Sequence, residues 1–156
     1  YDKRWMFEES FRMPFLIRWP GVVKRGSRPE ELIQNIDYAP TFLEAAGLDI
    51  PDEIQGRSLV PVMSGTARKW RQSLFYTYYE LGEHAVPQHF GVRTDRHKLM
   101  WFPKTREWNL FDLKTDPLEM KSVHNAPGYQ DVMQSMIAEY DRLRDQYDAP
   151  EITAHP

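Results

Sequence analysis

The residues best suited to chemistry at the start of the chain form a short charged segment. Lys3 is followed by Glu8, Glu9 and Arg12, with aromatic side chains between them. Two carboxylates near cations suggest general acid–base catalysis, but such a pair must hold a substrate between its members. This close spacing favours a structural contact, so we predict that Glu8 or Glu9 pairs with Arg12 and ties down a tight turn. Composition alone makes Lys3 a solvated surface cation.

A second set of candidates is the histidine pair His84 and His89, in a Gly- and Pro-containing loop that leads into an apolar strand. A metal site needs further His, Cys, Asp or Glu ligands, and no third ligand stands at useful spacing. The chain also lacks cysteine, which excludes thiolate ligands and disulfides. We expect no metal site here. His97 and His124 lie in predicted turns and are expected to be solvated.

Composition narrows the function classes. Of the 156 residues, 41% are hydrophobic and 13% aromatic, which predicts a packed core and not a disordered chain. The 20 basic and 23 acidic residues give a net charge of −3, which argues against non-specific nucleic-acid binding. No segment reaches the roughly 18 consecutive apolar residues of a membrane-spanning helix. We therefore expect neither a nucleic-acid nor a membrane partner.

Residues 1–66 are predicted to be the edge of a larger α/β layer. Residues 15–19 form an apolar run typical of a strand buried on both faces. Asp37 is the predicted N-cap of a helix that stops at Gly47 and has one apolar face, made of Ala39, Phe42, Leu43 and Ala46. One strand and one helix cannot cover each other's second faces. We expect those faces to be exposed, disordered or covered by another copy.

Residues 67–156 are predicted to form a small α+β unit. Segments rich in strand-forming residues lie at 73–79, 89–94, 98–102 and 108–113, with a polar turn between the second and third. The apolar positions Val132, Met136, Tyr140, Leu143 and Tyr147 predict an amphipathic helix from about residue 128 to 147. The predicted fold is a four-stranded antiparallel sheet packed against this helix.

Aromatic side chains are concentrated on the predicted strands. They offer two interpretations, a platform for stacking sugars or the filling between sheet and helix, and the second is favoured on alternating strands. Arg93 is expected to anchor its strand to a carboxylate. Asp112 and Asp116 are expected to serve turns and caps. The aromatic set is Phe75, Tyr76, Tyr78, Tyr79, Trp101 and Trp108.

Five motifs, in the same order as in type I sulfatases, make the chain similar to the C-terminal portion of those enzymes. The opening residues 1–14 resemble the run "(Tyr/Phe)-Glu-(Glu/Gly)-(Ser/Gly)-x-Arg-x-Pro" that follows the metal-binding turn. Residues 35–47 resemble "Asp-hydrophobic-x-Pro-Thr-hydrophobic-Leu-x-x-Ala-Gly", and 55–59 resemble "x-Gly-x-Ser-Leu". Residues 91–99 are similar to "hydrophobic-Arg-Thr-x-x-Tyr-Lys-Leu", with a histidine at the tyrosine. Residues 110–119 are close to "Leu-Tyr-Asp-Leu-x-x-Asp-Pro-x-Glu".

This resemblance implies the fold and the site. Residues 1–66 would be the incomplete edge of an alkaline-phosphatase-like catalytic domain and 67–156 its C-terminal α+β subdomain. Lys3 matches the lysine that contacts the sulfate group, where a fixed cation stabilises developing negative charge. His84 and His89 would help wall the substrate pocket. That histidine region is most similar to bacterial sulfatases acting on N-acetylglucosamine-6-sulfate or related glycosaminoglycan units.

The resemblance also implies parts that this sequence lacks. The family's nucleophile is a formylglycine made within "(Cys/Ser)-x-Pro-x-Arg", and paired aspartates hold calcium. Both would lie before Tyr1, so the chain alone is expected to be inactive and without a cofactor. Its partners would be the missing N-terminal catalytic portion and a sulfated carbohydrate, and its exposed apolar faces allow self-association. The location implied for the parent protein is periplasmic or extracellular.

Two other functions stay open from the sequence. The same superfamily contains phosphoester hydrolases, which the nucleophile before Tyr1 would distinguish. A non-catalytic carbohydrate-binding or interaction domain, built on residues 73–113, is the alternative from another class.

Overall fold

The structure, a computed structural model, describes residues 4–82 and 85–150. They form two compact units. The sheet unit contains the described residues up to Met13 and those from Phe75 onward, and the α2–α3 unit runs from Pro14 to Leu74. The helices are α1 (Glu8–Phe11), α2 (Tyr38–Ala45), α3 (Val60–Ser64) and α4 (Gln130–Gln146), with a 3-10 turn at Asn35–Asp37. The strands are β1 (Ser73–Tyr78), β2 (His89–Thr94), β3 (His97–Phe102) and β4 (Glu107–Asp112).

The sheet has the order β1-β2-β3-β4, with antiparallel pairing of β2 with β3 and of β3 with β4. In this register Val92 lies opposite Leu99, and Leu99 opposite Leu110. The predicted four-stranded antiparallel sheet with a C-terminal helix is confirmed. One face packs against α4 through a buried cluster of Phe90, Val92, Leu99, Leu110, Met136, Tyr140 and Leu143.

Most of the strand aromatics pack inside this unit, as the core interpretation predicts. The rings of Trp101 and Trp108 are 4.6 Å apart, and Trp108 meets Tyr140 of α4 edge to face. Phe75 packs against Tyr140 and Tyr147. These rings join the strands to the helix, which leaves them unsuited to stacking sugars.

The opposite face of the sheet is covered by the N-terminal segment, residues 4–13. Met6 is fully buried in a second cluster with Met100 and Phe111. A Cβ on Gly91 would lie 2.5 Å from Met6 Sδ and 2.3 Å from Leu99 O, so only glycine lets the segment approach the sheet this closely. The compact units therefore separate residues 4–13 from residues 14–74. The division into compact units is not the domain boundary predicted at residue 66. That boundary concerns the whole protein and stays a prediction.

The α2–α3 unit departs from the predictions in two ways. Residues 15–19 form no strand, because no other described segment hydrogen-bonds to them as a strand neighbour, and Leu16 is 94% exposed. Helix α2 is confirmed, with Gly47 in a left-handed conformation after its end. Its predicted apolar face is largely exposed, however, with Phe42 70% accessible, and Thr41 is buried instead. No layer formed by the described residues covers that face.

Asp37 is the N-cap residue of α2, as predicted, but its side chain makes no capping hydrogen bond to the helix. Its carboxylate instead accepts the Gln34 N–H, at the start of the 3-10 turn that leads into the helix. None of the described helices is long and apolar enough to cross a membrane.

Candidate functional site

Two of the three predicted site residues, Lys3 and His84, lie outside the described residues. The site is therefore described through the segment that follows Lys3, residues 4–11. This segment is bound to the sheet unit by side chains that bond to its backbone at alternate residues.

The first two of these bonds come from β1 and β2. The Tyr76 hydroxyl donates to Arg4 O at 2.7 Å. The Met6 N–H donates to His89 Nε2 at 3.2 Å. Residues 4–7 precede α1 as a turn and bends, and Phe7, directly before the helix, has an extended backbone conformation.

The next two bonds come from β3 and from the loop after β4. Lys98 Nζ donates to Met6 O at 2.7 Å, so both backbone groups of Met6 are bonded. The Glu8 N–H donates to Glu119 Oε2 at 2.6 Å. We call Tyr76, His89, Lys98 and Glu119 together the backbone clamp. They hold the backbone at Arg4, Met6 and Glu8.

A buried ion network supports the clamp. Lys98 has no exposed surface, and its Nζ lies 2.8 Å from Glu8 Oε1. It also lies 2.7 Å from Glu119 Oε1, as an ion pair without the alignment of a hydrogen bond. Arg93 contacts the other oxygen of Glu8 at 3.2 Å. Two cations and two carboxylates balance, which is what burial of charge requires.

The predicted pairing of Glu8 or Glu9 with Arg12 is wrong for Glu8. Glu8 pairs with Arg93 and Lys98 across the sheet, while Arg12 is exposed. Burial alone would raise the pKa of Glu8, but the hydrogen bonds from Arg93 and Lys98 outweigh burial, and its pKa is lowered. Glu8 is therefore an ionised anchor. The expected anchoring of Arg93 to a carboxylate is confirmed.

His89, the third predicted site residue, is completely buried. Its Nδ1 lies 2.9 Å from Pro87 O, and since a carbonyl only accepts, Nδ1 carries the hydrogen. Nε2 is then the acceptor for Met6 N–H. The ring is enclosed by the rings of Trp5, Tyr76, Tyr78 and Phe102, and burial lowers its pKa. Neither nitrogen of this neutral imidazole is free, so the geometry lends no support to substrate contact by His89.

His97 and His124, expected to be solvated, are both half-buried. Burial lowers the pKa of His97, and its Nε2 has no hydrogen-bond partner among the described residues. His124 lies 2.9 Å from the Ser122 hydroxyl and 2.6 Å from the Asn125 amide nitrogen. Local packing at the turns encloses both rings.

Two buried aspartates are structural and not catalytic. Asp37 accepts a two-pronged bond from Arg71 at 2.6 and 2.7 Å, and the Arg57 N–H as well. Asp112 accepts from Arg96, Tyr129 and the Lys114 N–H, and the hydrogen bond from Arg96 is the main cause of a pKa well below the usual range. In both cases the surrounding donors use the carboxylate fully.

Metal ligands do not converge in the described part of the chain. No group of three His, Asp or Glu side chains there is placed to hold an ion. The described residues therefore do not provide the calcium site that the family resemblance implies.

Sequence reasoning missed three of the clamp residues, Tyr76, Lys98 and Glu119. A signal for two of them was present, since Lys98 is the lysine of the "Tyr-Lys-Leu" motif and Glu119 ends "Asp-Pro-x-Glu". Lys98 also stands at an inward position of an apolar strand, where a charge must find partners. No pattern in the sequence showed that these separate motifs meet on one segment.

Comparison with known proteins identifies what the chain is similar to. Residues 1–146 match the family model described as N-sulphoglucosamine sulphohydrolase, C-terminal. The chain is 40% identical, over 94% of its length and 27% of the relative, to an N-acetylglucosamine-6-O-sulfatase of Bacteroides thetaiotaomicron.

Two solved structures extend the comparison. The first, BT4656 in complex with its substrate D-glucosamine-2-N,6-O-disulfate, superposes with a TM-score of 0.92 and 39% identity, over 96% of this chain and 31% of that one. The second, a phosphonate monoester hydrolase from Silicibacter pomeroyi, has a TM-score of 0.71 and 27% identity, over 83% and 28%. The chain spans less than a third of each of these proteins.

Proposed function

The chain belongs to the sulfatase family whose C-terminal region the N-sulphoglucosamine sulphohydrolase model describes, and from this we propose that it is the C-terminal portion of an enzyme that hydrolyses sulfate esters. The observation that carries the proposal is the 40% identity to an N-acetylglucosamine-6-O-sulfatase over 94% of the chain. The same sheet, helix and N-terminal segment superpose on a sugar-sulfate enzyme with a TM-score of 0.92.

The proposed substrate is a glucosamine unit that carries a 6-O-sulfate. Two comparisons support this choice, a sequence match named as an N-acetylglucosamine-6-O-sulfatase and a structure match solved with D-glucosamine-2-N,6-O-disulfate. The reaction releases inorganic sulfate and leaves the sugar hydroxyl. Because such units occur in glycosaminoglycans outside the cell, we propose a periplasmic or extracellular location for the full-length protein.

Lys3 is proposed to contact the sulfate group and His84 to line the sugar pocket. Cleavage of a sulfate ester builds negative charge on the sulfate and leaving-group oxygens, which a fixed ammonium stabilises. The formylglycine nucleophile and the calcium that the family implies are assigned to the rest of the full-length protein. The described residues provide no ligand set for that metal.

The rest of the full-length protein is also the proposed partner of the α2–α3 unit. This unit exposes large apolar side chains that a stable domain would bury. The chain spans about 27–31% of its two sugar-sulfate relatives, so ample sequence remains to cover them. In the chain by itself the same surface is expected to drive self-association. The exposed set is Phe15, Leu16, Ile17, Ile36, Phe42, Leu48 and Ile50.

The test is to express the full-length protein and measure sulfate release from glucosamine 6-O-sulfate. Replacement of Lys3 by alanine is expected to lower kcat/KM by about 100-fold or more, the usual cost of removing one charge-stabilising donor. Lys104→Ala removes an exposed lysine from the β3–β4 turn and serves as the matched control. Full activity of the Lys3→Ala enzyme would refute the role of Lys3.

A second candidate is hydrolysis of phosphonate or phosphate esters, favoured by the similarity to a phosphonate monoester hydrolase. The same preparation assayed with a phosphonate monoester distinguishes the two, because the preferred ester will show the larger kcat/KM. A non-catalytic carbohydrate-binding role predicts instead that this chain alone binds sulfated oligosaccharides saturably. Sulfate-ester turnover by the full-length protein, with no such binding by the chain alone, would exclude it.

A further inference from the structure

We propose that the backbone clamp of Tyr76, His89, Lys98 and Glu119 positions Lys3 for the sulfate group, so that these four residues control the reaction without touching the substrate. The inference rests on the proposed function. It assigns to His89 a positioning role in place of the predicted substrate contact.

The clamp acts on the backbone that directly follows Lys3. Its bonds reach the backbone at Arg4, Met6 and Glu8, and the bond nearest Lys3 is from the Tyr76 hydroxyl to Arg4 O. Consecutive Cα atoms are about 3.8 Å apart, so fixing the Arg4 backbone fixes the point from which Lys3 must start. The sequence itself therefore places Lys3 directly beside the clamped stretch.

None of the described strands pairs with the segment as a strand neighbour. The backbone groups of Arg4, Met6 and Glu8 bond to side chains of the sheet unit, where a strand would bond to the backbone of a neighbouring strand. Burying such backbone groups without partners would be costly. The fully buried Lys98 donates to Met6 O of this segment, and a Cβ on Gly91 would lie 2.5 Å from Met6 Sδ.

Lysine carries its charge on a flexible four-carbon stem, and an ammonium stabilises a transition state well only when it is held in place beforehand. A site that depends on a lysine next to this segment needs the segment to be immobilised. The clamp supplies this with two backbone bonds at Met6 and one each at Arg4 and Glu8.

The test is a double-mutant cycle in the full-length enzyme with a 6-O-sulfated glucosamine substrate. Tyr76→Phe removes only the hydroxyl that bonds to Arg4 O. We expect kcat to fall by about 3- to 10-fold with little change in KM, from the loss of one hydrogen bond. In the Lys3→Ala background the same change is expected to have less than about a twofold effect, because a positioning residue has nothing left to position.

The matched control is Tyr129→Phe, which removes another phenol hydrogen bond of the sheet unit, to Asp112, away from the segment. It is expected to leave kcat unchanged. His89→Gln, which keeps an acceptor for Met6 N–H, should retain more activity than His89→Leu. Amide exchange of residues 4–11 gives a readout independent of activity and should speed up in Tyr76→Phe and His89→Leu but not in Tyr129→Phe.

The outcomes distinguish a failure of the clamp from a failure of the proposed function. An equal loss from Tyr76→Phe with and without Lys3, or unchanged exchange of residues 4–11, overturns the clamp while the sulfatase proposal stands. Full activity of Lys3→Ala would refute the role of Lys3 in sulfate binding, and therefore also the proposal that the clamp positions Lys3. Absence of sulfate-ester hydrolysis by the wild-type protein refutes the proposed function itself.

Discussion

The two compact units use similar sequence signals with different results. In the sheet unit, alternating and helical apolar patterns produce residues with no exposed surface, among them Val92, Leu99 and Leu110. In the α2–α3 unit, an apolar run and an apolar helix face leave Leu16 94% and Phe42 70% exposed. The sheet unit also exposes apolar residues, but these lie in loops.

An apolar pattern in the sequence therefore predicts which face of a helix or strand is apolar, but it does not predict whether that face is buried. Strands β1 to β4 find α4 on one side and residues 4–13 on the other, so both faces are covered within the described chain. The α2–α3 unit buries Leu59, Val62, Met63 and Leu74, and its Asp37 makes polar contacts with Arg57 and Arg71. Each unit contains a buried charged residue with close partners, Lys98 in the sheet unit and Asp37 in the α2–α3 unit, and removing these two charges compares the units directly.

The largest effect is expected from Lys98→Met in the sheet unit. It leaves the buried Glu119 without its cation and Glu8 with Arg93 alone. Removing one partner from a buried ion pair costs about 3–5 kcal/mol of unfolding free energy. Chemical denaturation of the chain, with amide exchange assigned to each unit, should show the loss in β2 to β4 and leave α2 unchanged.

Lys104→Met makes the same chemical change at an exposed position and should alter the free energy of unfolding by no more than about 0.5 kcal/mol. Equal effects of the two substitutions would show that the network around Lys98 contributes no specific stability.

A somewhat smaller effect, about 3 kcal/mol, is expected from Asp37→Asn in the α2–α3 unit. The change removes the charge that Arg71 grips in a two-pronged bond and places an NH2 group among donors. Amide exchange of α2 should then speed up while β2 to β4 stay protected. Asp52→Asn, at an exposed site in the same unit, is the control and should have little effect. Equally fast exchange in β2 to β4 would contradict the prediction that the loss of the Asp37 charge acts on α2.

These outcomes also bear on what the sequence could reveal. The strands and α4 were predictable because their apolar periods, 2 and about 3.6 residues, complete a core within this chain. The strand at 15–19 was not, because a strand needs a hydrogen-bonding neighbour that local sequence does not supply. Gly91 and Lys98 carried signals for close approach and for buried charge. Their common partner, Met6, lies more than 80 residues away in sequence.

A third, weaker effect should appear with pH, through His89. Its pKa is lowered by burial from the ordinary value of 6.5, so the unfolded chain binds the proton more readily than the folded one. The stabilisation is therefore complete above about pH 6.5 and is lost as the pH falls toward the folded-state pKa. We expect a loss of about 1 kcal/mol, the worth of the Met6 N–H bond that protonation breaks.

The measurement is the free energy of unfolding of the chain between pH 7 and pH 5. The titratable groups facing His89 are the phenols of Tyr76 and Tyr78, the latter with its pKa raised to about 12 by burial and by its hydrogen bond to Glu80, so both stay neutral in this range. His89→Gln should flatten the pH dependence, and His97→Gln should remove a second contribution of the same sign. An unchanged slope in His89→Gln would contradict the neutral, hydrogen-bond-accepting imidazole.

The smallest effect is expected from the ion pair on the wet face of α4, where Arg142 bonds to Glu139 at 2.6 and 2.7 Å. The geometry is as good as that around Lys98, but Arg142 is 54% exposed, so water and salt screen the charges. Glu139→Gln should therefore cost no more than about 0.5 kcal/mol in the free energy of unfolding, and less still at high salt. A loss comparable to that of Lys98→Met would mean that distance, and not burial, decides what a charge contributes in this protein.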